Sequence, residues 1–245
     1  MSARWRKRLF DLLVCCIAAP VWLPLFVLCS VAVLCAEGWP IFYISRRRVY
    51  GTRVRSVVKF RAMIPNADRL VNRSTVPIRG QCFLNVSSDD PVYTRIGRLL
   101  ERCYCIELPQ AFQVLTGQMT IVGNRPLPED VVTALRFNNP NVEERFAIKG
   151  GIAGPTQLVG RDRLSDRDRL RLELEYCRVC GSSYSWRMDL RILVHTLLLC
   201  LDREPYFSVD EIINWLKSDA RQSLPSRSRR TRNRLASESA GCVRL

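Results

Sequence analysis

The sequence predicts a mostly helical α+β fold, in which a re-entrant membrane helix hairpin precedes a small cytosolic domain with short strands and interfacial amphipathic helices. Three observations predict it. Residues 9–36 form an almost wholly apolar run, basic residues flank this run on both sides, and the chain beyond it alternates strand-like segments with segments of helical spacing. We expect a membrane anchor at residues 1–38, a cytosolic domain at 39–206, and a short helix with a basic, disordered tail at 207–245.

The N-terminal apolar run is long enough to cross the hydrocarbon core of a bilayer, so a simple transmembrane span is one interpretation. The flanking residues favour another. They are Arg4, Arg6, Lys7 and Arg8 before the run, and Arg46, Arg47, Arg48, Arg53 and Arg55 after it. Because cytoplasmic flanks carry such an excess of positive charge, both ends are assigned to the same side. We therefore favour a re-entrant hairpin that bends at Pro24 and returns to the cytosolic face.

The charge balance limits the classes of partner. Among 245 residues, 38 are lysine or arginine and 23 are aspartate or glutamate, which gives a formal net charge of +15. Anionic partners such as lipid headgroups or nucleotide phosphates are expected. A protein that binds single-stranded nucleic acid interleaves aromatic with basic side chains, and the basic stretch from Arg221 to Arg234 has no aromatic residue. We therefore expect no nucleic-acid partner.

The cysteines indicate a reducing compartment. They are eleven, an odd number, and they are scattered, which is typical of reduced thiols facing the cytosol. Cys177 and Cys180 have a spacing found in zinc sites, but the chain has a single histidine, His195, to add to them. We expect free thiols there rather than a metal site. His195 lies in an apolar helical segment, so we interpret it as a packing residue.

The segment after the apolar run predicts a short β-hairpin. The sequences PIFYISRRR and VRSVVKFRAM are strand-like, and the second carries Lys59 and Arg61. A solvated basic edge and an anion-binding surface are equally consistent with these two side chains. Residues 64–88 have mixed composition and are expected to form a loop.

The stretch CIELPQAF places an acid, Glu107, just before the start of a predicted helix. Apolar residues recur at helical spacing over residues 96–103, the chain breaks at Leu108, and Pro109 suits the first position of a second helix. A carboxylate at a helix N-terminus is held ionised by the helix dipole and by free backbone N–H groups. Such a carboxylate can ligate a hard cation such as Mg²⁺, although a plain capping acid is the simpler interpretation of this residue taken alone.

Two glycine-containing turns further along the chain suit phosphate binding. GNRPLPED, residues 123–130, presents the guanidinium of Arg125 from a turn stiffened by two prolines, and a guanidinium matches the geometry of a phosphate. KGGIAGPTQLVGRDR, residues 149–163, surrounds Gln157 and Arg161 with glycines that let a nucleotide approach the backbone. The second turn lacks the pattern of a Walker loop, so its composition alone is weakly specific.

The C-terminal part predicts two helices followed by a tail. RMDLRILVHTLLLCL, residues 187–201, is apolar around most of its circumference and too short to span a bilayer, so it suits a helix in the membrane interface or in the core. Ser208 and Glu211 have the spacing of a capping box for a short helix. From residue 220 onward arginine and serine dominate, and a disordered tail is expected.

Taken in order, several blocks of the chain resemble one known family. They are KRLFDLL, GWPIF, KFRAM, TRIGRLLE, ELPQAFQVLTGQMTIVGNRP, GGIAGPTQLVGR, and LELEYC followed by DLRILVHT, and they extend over residues 6–200. This order resembles the bacterial sugar transferases, the monotopic phosphoglycosyl transferases that begin polysaccharide and glycoconjugate assembly. The resemblance implies a re-entrant anchor at the cytoplasmic face of the inner membrane, where the positive charge of the chain predicts contact with anionic lipid.

The resemblance implies a reaction as well. Family members move a phosphosugar from a nucleotide diphosphate sugar, usually a UDP-sugar, to polyprenol phosphate with Mg²⁺, and release UMP. Their central motif is Asp-Glu-Leu-Pro-Gln, in which the aspartate is the nucleophile and the glutamate is a metal and phosphate partner. Here Glu107 and Gln110 match that motif, but Ile106 stands at the aspartate position.

The resemblance further implies which residues bind the donor. The expected substrate-binding residues are Lys59, Arg61, Gln110, Asn124, Arg125, Pro126, Gln157 and Arg161. The metal ligand is expected to be Glu107. Because an isoleucine cannot attack phosphorus, three alternatives stand: another carboxylate acts, the transfer is direct, or the chain is a non-catalytic homologue that binds nucleotide sugar. Glu107 and Asp90 are the candidate substitute nucleophiles.

Overall fold

The computed structural model describes residues 2–71, 86, 89–160, 163–201 and 206–223. In chain order its helices and strands are α1 (Ala3–Glu37), β1 (Phe42–Tyr50), β2 (Arg53–Phe60), α2 (Ala67–Leu70), α3 (Arg95–Arg102), α4 (Gln110–Leu115), β3 (Thr120–Val122), α5 (Glu129–Asn138), β4 (Gly151–Ala153), α6 (Asp166–Ser183), α7 (Trp186–Cys200) and α8 (Val209–Ser223). Two 3₁₀ helices lie at Pro140–Phe146 and Pro155–Leu158. The described residues are mostly helical with short strands, which confirms the predicted fold class at that level.

Helix α1 is the longest element, with 35 residues. Pro20 and Pro24 both lie inside it, and the helix is uninterrupted at either proline. The predicted hairpin of two helices with a break at Pro24 is therefore not confirmed. Both prolines are exposed, and a proline removes one backbone hydrogen bond without ending a helix whose other face is held by packing. The helix is long and apolar enough to cross a membrane.

Both halves of α1 pack against the same folded body. In the N-terminal half, Phe10 and Cys15 belong to the main core, together with residues of β3, α6, α7 and α8. In the C-terminal half, Cys29 and Val33 join a second core with β2, α3 and the turn before α4. A third cluster connects α5, the first 3₁₀ helix and α6. Helix α1 is therefore part of the fold at both of its ends.

Buried polar contacts fix the N-terminal end of α1. The ammonium of Lys7 lies 2.6 Å from Asp189 Oδ2. One turn further on, Asp11 accepts hydrogen bonds from Thr120 Oγ1 at 2.7 Å and from the N–H of Ile121 at 3.0 Å. Because a charge leaves water only when it is paired and hydrogen-bonded, these contacts tie the start of α1 to β3 and α7.

The C-terminal end of α1 is fixed by Arg61, which follows β2. Its Nη2 donates to the carbonyl oxygens of Glu37 at 2.6 Å and Gly38 at 3.1 Å. Its Nε also lies 3.6 Å from a carboxylate oxygen of Glu37. A cation at a helix C-terminus satisfies free carbonyl groups and the negative end of the helix dipole. Both ends of α1 are therefore bound to one body by charged side chains.

Strands β1 and β2 form the predicted hairpin. They pair antiparallel, with Phe42 opposite Phe60 and Tyr43 opposite Lys59. Gly51 has a φ of 52° in the connecting turn, a left-handed conformation that favours glycine. Because cross-strand partners share a face of the hairpin, Lys59 projects from the same face as Tyr43.

Two features determine where α4 and the turn after β3 lie. The predicted break between helices is confirmed, because α3 ends at Arg102 and α4 begins at Gln110, directly after Pro109. Strand β3 pairs parallel with β4. A Cβ on Gly151 would lie 2.1 Å from the backbone nitrogen of Gly123, so only glycine allows the two chains to approach this closely. This close approach sets where the turn after β3 leaves the sheet.

Helix α7 lies at the surface with one side in the core. Met188 and Ile192 are buried in the main cluster. The outward side is apolar too, and its exposed residues are Trp186, Leu190, Val194, Leu197 and Leu201. One face of the helix packs in the core, as one of the two predicted placements requires; placement of its apolar outer face in the membrane interface stays a prediction.

The remaining predictions for the C-terminal part concern packing and capping. His195 stacks on Trp215 of α8 with ring centroids 5.0 Å apart, which confirms its interpretation as a packing residue. The N–H of Ser208 donates to Glu211 Oε2 at 2.7 Å, as the capping box predicts. Cys177 and Cys180 are free and buried. The disordered tail was predicted from residue 220 onward, but α8 continues to Ser223. Residues 224–245 of the predicted tail, and residues 72–85 and 87–88 of the predicted loop, lie outside the described residues.

Candidate active site

Three of the predicted residues meet at one carboxylate oxygen. Glu107 Oε1 accepts a hydrogen bond from Lys59 Nζ at 2.6 Å and another from Arg125 Nη2 at 2.7 Å. Lys59 comes from the end of β2, Glu107 from the turn before α4, and Arg125 from the turn after β3. Their side chains are 14%, 15% and 26% exposed, so solvent and a ligand can reach the group. We call these three residues the charged cluster.

The backbone around Glu107 explains how it comes to face Lys59. The N–H of Phe60, next to Lys59, donates to the carbonyl of Ile106, next to Glu107, at 3.0 Å. The N–H of Gln110 then donates to the carbonyl of Glu107 at 2.9 Å and starts the first turn of α4. The turn before α4 is therefore attached directly to the end of β2, and the two charged side chains leave from adjacent positions.

The turn that carries Arg125 is braced from beneath by buried polar groups. Asn124 is buried, and its Nδ2 donates to the carbonyl oxygens of Arg145 at 3.0 Å and Glu173 at 3.3 Å. Arg145 Nη2 donates to the carbonyl of Arg125 at 3.0 Å, and its Nε lies 2.7 Å from Glu173 Oε2. The Arg145–Glu173 pair is fully buried, so it holds the turn in one position. Sequence reasoning missed this pair because nothing local in either segment indicates the contact.

The charged cluster is crowded with positive charge. Burial, the neighbouring guanidinium of Arg125 and that of Arg47 together lower the pKa of Lys59 to about 8, although Glu107 opposes these effects. A cation whose pKa falls because other cations surround it marks a site that suits an anion. The arrangement can therefore offset the charge of a phosphate group and orient it.

Ile106 lies in the second core. It is 6% exposed and clusters with Cys29 and Val33 of α1 and with Leu100 of α3. In the family that the sequence resembles, this position carries the nucleophilic aspartate. Here the position is apolar and packs against α1.

The other predicted residues have different partners. Asp90 accepts a hydrogen bond from the N–H of Val92 at 2.9 Å and so caps the turn before α3. Gln157 braces its own turn, where it accepts from the N–H of Gly154 at 2.6 Å and donates to the carbonyl of Ile152 at 3.2 Å. These contacts give Asp90 and Gln157 structural roles, and their proposed part in catalysis or donor binding stays a prediction.

Four of the predicted substrate-binding residues remain: Arg61, Gln110, Pro126 and Arg161. Arg61 binds the end of α1, as described above. Gln110 is 2% exposed and lies inside the first turn of α4. Pro126 follows Arg125, and its carbonyl accepts a hydrogen bond from Arg47 at 3.2 Å. Arg161 lies outside the described residues.

Whether Mg²⁺ fits this site depends on the side chains that are available to bind it. Mg²⁺ in phosphate-transfer sites is held by one or two carboxylates together with phosphate oxygens. In this site the Oε1 oxygen of Glu107 is already shared by two cations, Lys59 and Arg125. As folded, these residues do not fit a metal ion, so Mg²⁺ at Glu107 stays a prediction and no step below depends on it.

Comparison with known proteins identifies the family. The family model described as bacterial sugar transferase matches residues 2–203. The exopolysaccharide production protein ExoY of Sinorhizobium fredii is 31% identical over 205 residues, which are 82% of this chain and 88% of that protein. The undecaprenyl-phosphate glucose phosphotransferase of Komagataeibacter xylinus is 31% identical over 199 residues, 78% of this chain but 35% of that protein.

A third relative also matches most of this chain but only a part of its own length. The UDP-glucose:undecaprenyl-phosphate glucose-1-phosphate transferase of Xanthomonas campestris pv. campestris is 30% identical over 203 residues, 81% of this chain and 39% of that protein. The chain thus spans most of the ExoY protein and little more than a third of the two longer transferases. The match over nearly the whole chain, together with a charged cluster built from the blocks that carried the resemblance, leads to one conclusion: the chain belongs to the bacterial sugar transferase family.

Proposed function

We propose that the chain transfers a sugar phosphate from a nucleotide diphosphate sugar to polyprenol phosphate at the cytoplasmic face of the inner membrane, and so initiates assembly of an exopolysaccharide. The names of its relatives, which include undecaprenyl-phosphate phosphotransferases, support this reaction. The observation that carries the proposal is the charged cluster of Lys59, Glu107 and Arg125, which lies beside α1. A UDP-sugar is the proposed donor.

The attachment of α1 supports a membrane anchor whose two ends lie on the same side. At about 1.5 Å per residue, a helix of 35 residues is long enough to cross a bilayer. A span would place its ends on opposite sides, yet Lys7 near one end and Glu37 at the other both bind the same folded body. We propose that α1 enters and leaves the cytosolic leaflet on one side, in the re-entrant manner that the basic flanks predict.

The apolar face of α1 supports contact with lipid. Large apolar side chains along the helix are exposed, and they include Leu13, Ile17, Val21, Val27 and Leu28. In a soluble protein such a continuous exposed stripe is unusual and marks an interaction surface. The exposed arginines at the two flanks can meet anionic headgroups; they are Arg4, Arg6, Arg46, Arg53 and Arg55.

The charged cluster lies close enough to this surface for a lipid substrate. Ile106 and Leu108, on either side of Glu107, pack in the core that contains Leu25 and Phe26 of α1. A polyprenol chain in the bilayer would therefore lie beside α1 while its phosphate reaches the cluster. The donor, which is soluble, would enter from the cytosolic side.

Direct transfer is the mechanism we propose. The phosphate oxygen of the acceptor attacks the phosphorus that carries the sugar, a new P–O–P bond forms, the bond to the nucleoside phosphate breaks, and a nucleoside monophosphate leaves. Phosphoryl transfer depends mostly on positioning and on offsetting charge, which Lys59 and Arg125 supply. Glu107 holds these two cations in place. Its Oε1 is occupied by both of them, which makes it a poor nucleophile.

A non-catalytic homologue is the second candidate function, and Ile106 favours it. The side chain at the family's nucleophile position is apolar and buried, so a covalent route through that position is closed. Such a protein would retain the donor site and the membrane anchor, and would bind nucleotide sugar without turnover.

One experiment separates the two. Purified, detergent-solubilised protein is incubated with undecaprenyl phosphate and a panel of UDP-sugars, with and without Mg²⁺, and UMP release and the lipid-linked product are measured. Turnover with at least one donor supports the transferase. Saturable binding of a UDP-sugar without UMP release supports the non-catalytic homologue instead, and absence of both excludes a donor site.

A further inference from the structure

Three consecutive arginines on β1 have three different environments. Arg46 is exposed. Arg48 is buried, and its guanidinium is paired with the carboxylates of Glu129 at 2.7 Å and Glu143 at 2.8 Å. Arg47, between them, is partly buried and projects from the opposite face to its two neighbours, since successive side chains alternate along a strand. The three residues therefore cannot share one role.

Arg47 is held by neutral acceptors at the rim of the charged cluster. Its Nε donates to Ser45 Oγ at 2.9 Å and its Nη1 donates to the carbonyl of Pro126 at 3.2 Å. Pro126 is the residue after Arg125, so this second bond places the guanidinium next to the turn that supplies a cation to Glu107. Within the described part of the chain, no carboxylate lies within ion-pair distance of Arg47.

The surroundings of Arg47 are unfavourable to a cation in the free protein. Burial lowers the pKa of Arg47, the adjacent Arg125 lowers it further, and Glu107 only partly offsets them. A guanidinium stays charged at any physiological pH, so the cost is met by the fold rather than by loss of a proton. A partly buried cation beside a second cation becomes favourable when an anion binds between them.

The charge of the whole group matches a diphosphate. Among the groups that these hydrogen bonds bring together, Arg47, Lys59 and Arg125 contribute three positive charges and Glu107 one negative charge, which leaves two net positive charges; the carboxylate of Asp130 also acts on Arg47, more weakly than Glu107 does. The diphosphate of a nucleotide diphosphate sugar carries two negative charges at neutral pH. Arginine is also the side chain whose geometry best matches a phosphate, because its fork donates two parallel hydrogen bonds.

We propose that Arg47 is a donor-binding residue whose guanidinium binds a phosphate oxygen of the diphosphate, so that Arg47, Lys59 and Arg125 together offset its charge without a metal ion. The proposal rests on the proposed function, since it names a further residue of the same donor site. It also accounts for the poor fit of Mg²⁺ at Glu107, because protein cations occupy the place that a divalent cation would take. The sequence did not point to Arg47, which stands in a run of like residues.

The test measures UDP binding to the full-length, detergent-solubilised protein by isothermal titration calorimetry in buffer containing EDTA. Wild type is compared with Arg47→Gln, Arg47→Lys and the matched control Arg46→Gln, which removes a neighbouring arginine from the other face of β1. Losing a hydrogen bond between charged groups typically weakens binding by about tenfold to a hundredfold. We expect that loss for Arg47→Gln, a smaller loss for Arg47→Lys, and a change of no more than about twofold for Arg46→Gln.

The outcomes separate this proposal from the proposed function. If wild type binds UDP in EDTA and Arg47→Gln binds it as tightly as Arg46→Gln does, the inference is wrong and the donor site stands. If UDP binds only after Mg²⁺ is added, a metal ion supplies the charge and the inference is again wrong. If UDP binds in neither condition, the donor site and the proposed function fail together.

A folding defect is checked separately. Melting temperatures of all variants are measured in the same detergent, and Arg47→Gln is expected to melt with Arg46→Gln. Should Arg47→Gln fail to fold, Arg47→Lys provides the test instead, because it keeps the positive charge and loses only the ability to donate two parallel hydrogen bonds. Undiminished UDP affinity in Arg47→Lys would then contradict a bidentate role for Arg47.

Discussion

The ammonium of Lys59 lies 2.6 Å from the carboxylate of Glu107, and the same carboxylate oxygen accepts a hydrogen bond from Arg125 at 2.7 Å. One anion therefore holds two cations that would otherwise repel each other. We propose from this relationship that Glu107 positions the two cations; the roles predicted from the sequence were the metal ligand and the substitute nucleophile.

The first prediction concerns that positioning role. Glu107→Gln removes the negative charge, so Lys59 and Arg125 lose their common acceptor and move apart. We expect UMP release to fall by about a hundredfold or more, while UDP affinity is kept or increased because the net positive charge rises. Steady-state UMP release and UDP titration measure the two effects. Glu144→Gln, at an exposed site, is the control, and full turnover in Glu107→Gln would remove this residue from the mechanism.

The second prediction is a pH dependence. Burial and the neighbouring arginines lower the pKa of Lys59 to about 8. The charged form of Lys59 attracts the donor, so affinity is complete below this pKa and is lost as the pH rises through it. UDP affinity should fall by about fivefold between pH 8 and pH 9, and Lys59→Arg, which stays charged, should show a flat profile. A pH-independent affinity in wild type would contradict the assignment of Lys59.

The third prediction concerns the missing aspartate. Ile106→Asp places a carboxylate among apolar side chains at a position that is 6% exposed. Burying an unpaired charge costs several kcal/mol, so we expect a fall in melting temperature of at least about 5 °C and no covalent adduct with the donor. Ile106→Val, which keeps an apolar side chain, should cost about 0.5–1.5 kcal/mol. A stable Ile106→Asp protein that forms a phosphosugar adduct would show that this side chain reaches the donor.

The fourth prediction concerns topology. A cysteine is introduced in place of Ser2, before α1, or Thr52, in the hairpin turn, in a background from which the native cysteines are removed. Neither site should react with a membrane-impermeant maleimide in intact spheroplasts, and both should react after lysis, because both ends of α1 bind the same folded body, which we propose faces the cytosol. Labelling of the Ser2 site alone in intact spheroplasts would establish a transmembrane span.

The sequence predicted the parts of this site better than their assembly. Lys59, Glu107 and Arg125 were each predicted from local signals: a strand-like segment, an acid before a helix, and a stiff turn. Their meeting at one oxygen depends on long-range contacts, such as the hydrogen bond between Phe60 and Ile106, that no local pattern encodes.

Two predictions made from local sequence overlooked contacts that form only in the folded chain. Arg61 was expected to bind the donor. In the structure its guanidinium donates to the carbonyl groups at the end of α1, which tertiary packing brings there. Pro24 was expected to break the apolar run, yet packing of both halves of α1 holds the helix through it. By contrast, the hairpin, the helix start after Pro109 and the capping box were predictable, because turn and cap residues act over a few positions.

The most direct test of the central claim is UMP release under single-turnover conditions, with enzyme in excess over a UDP-sugar that the protein binds. Direct transfer through the charged cluster predicts UMP only when undecaprenyl phosphate is also present, in an amount equal to the lipid-linked product. Release of UMP with the donor alone, in an amount equal to phosphosugar bound covalently to the protein, would contradict the account; release together with free sugar phosphate would instead be hydrolysis by water. No UMP in either condition would contradict it as well, and would identify a homologue that binds the donor without catalysis.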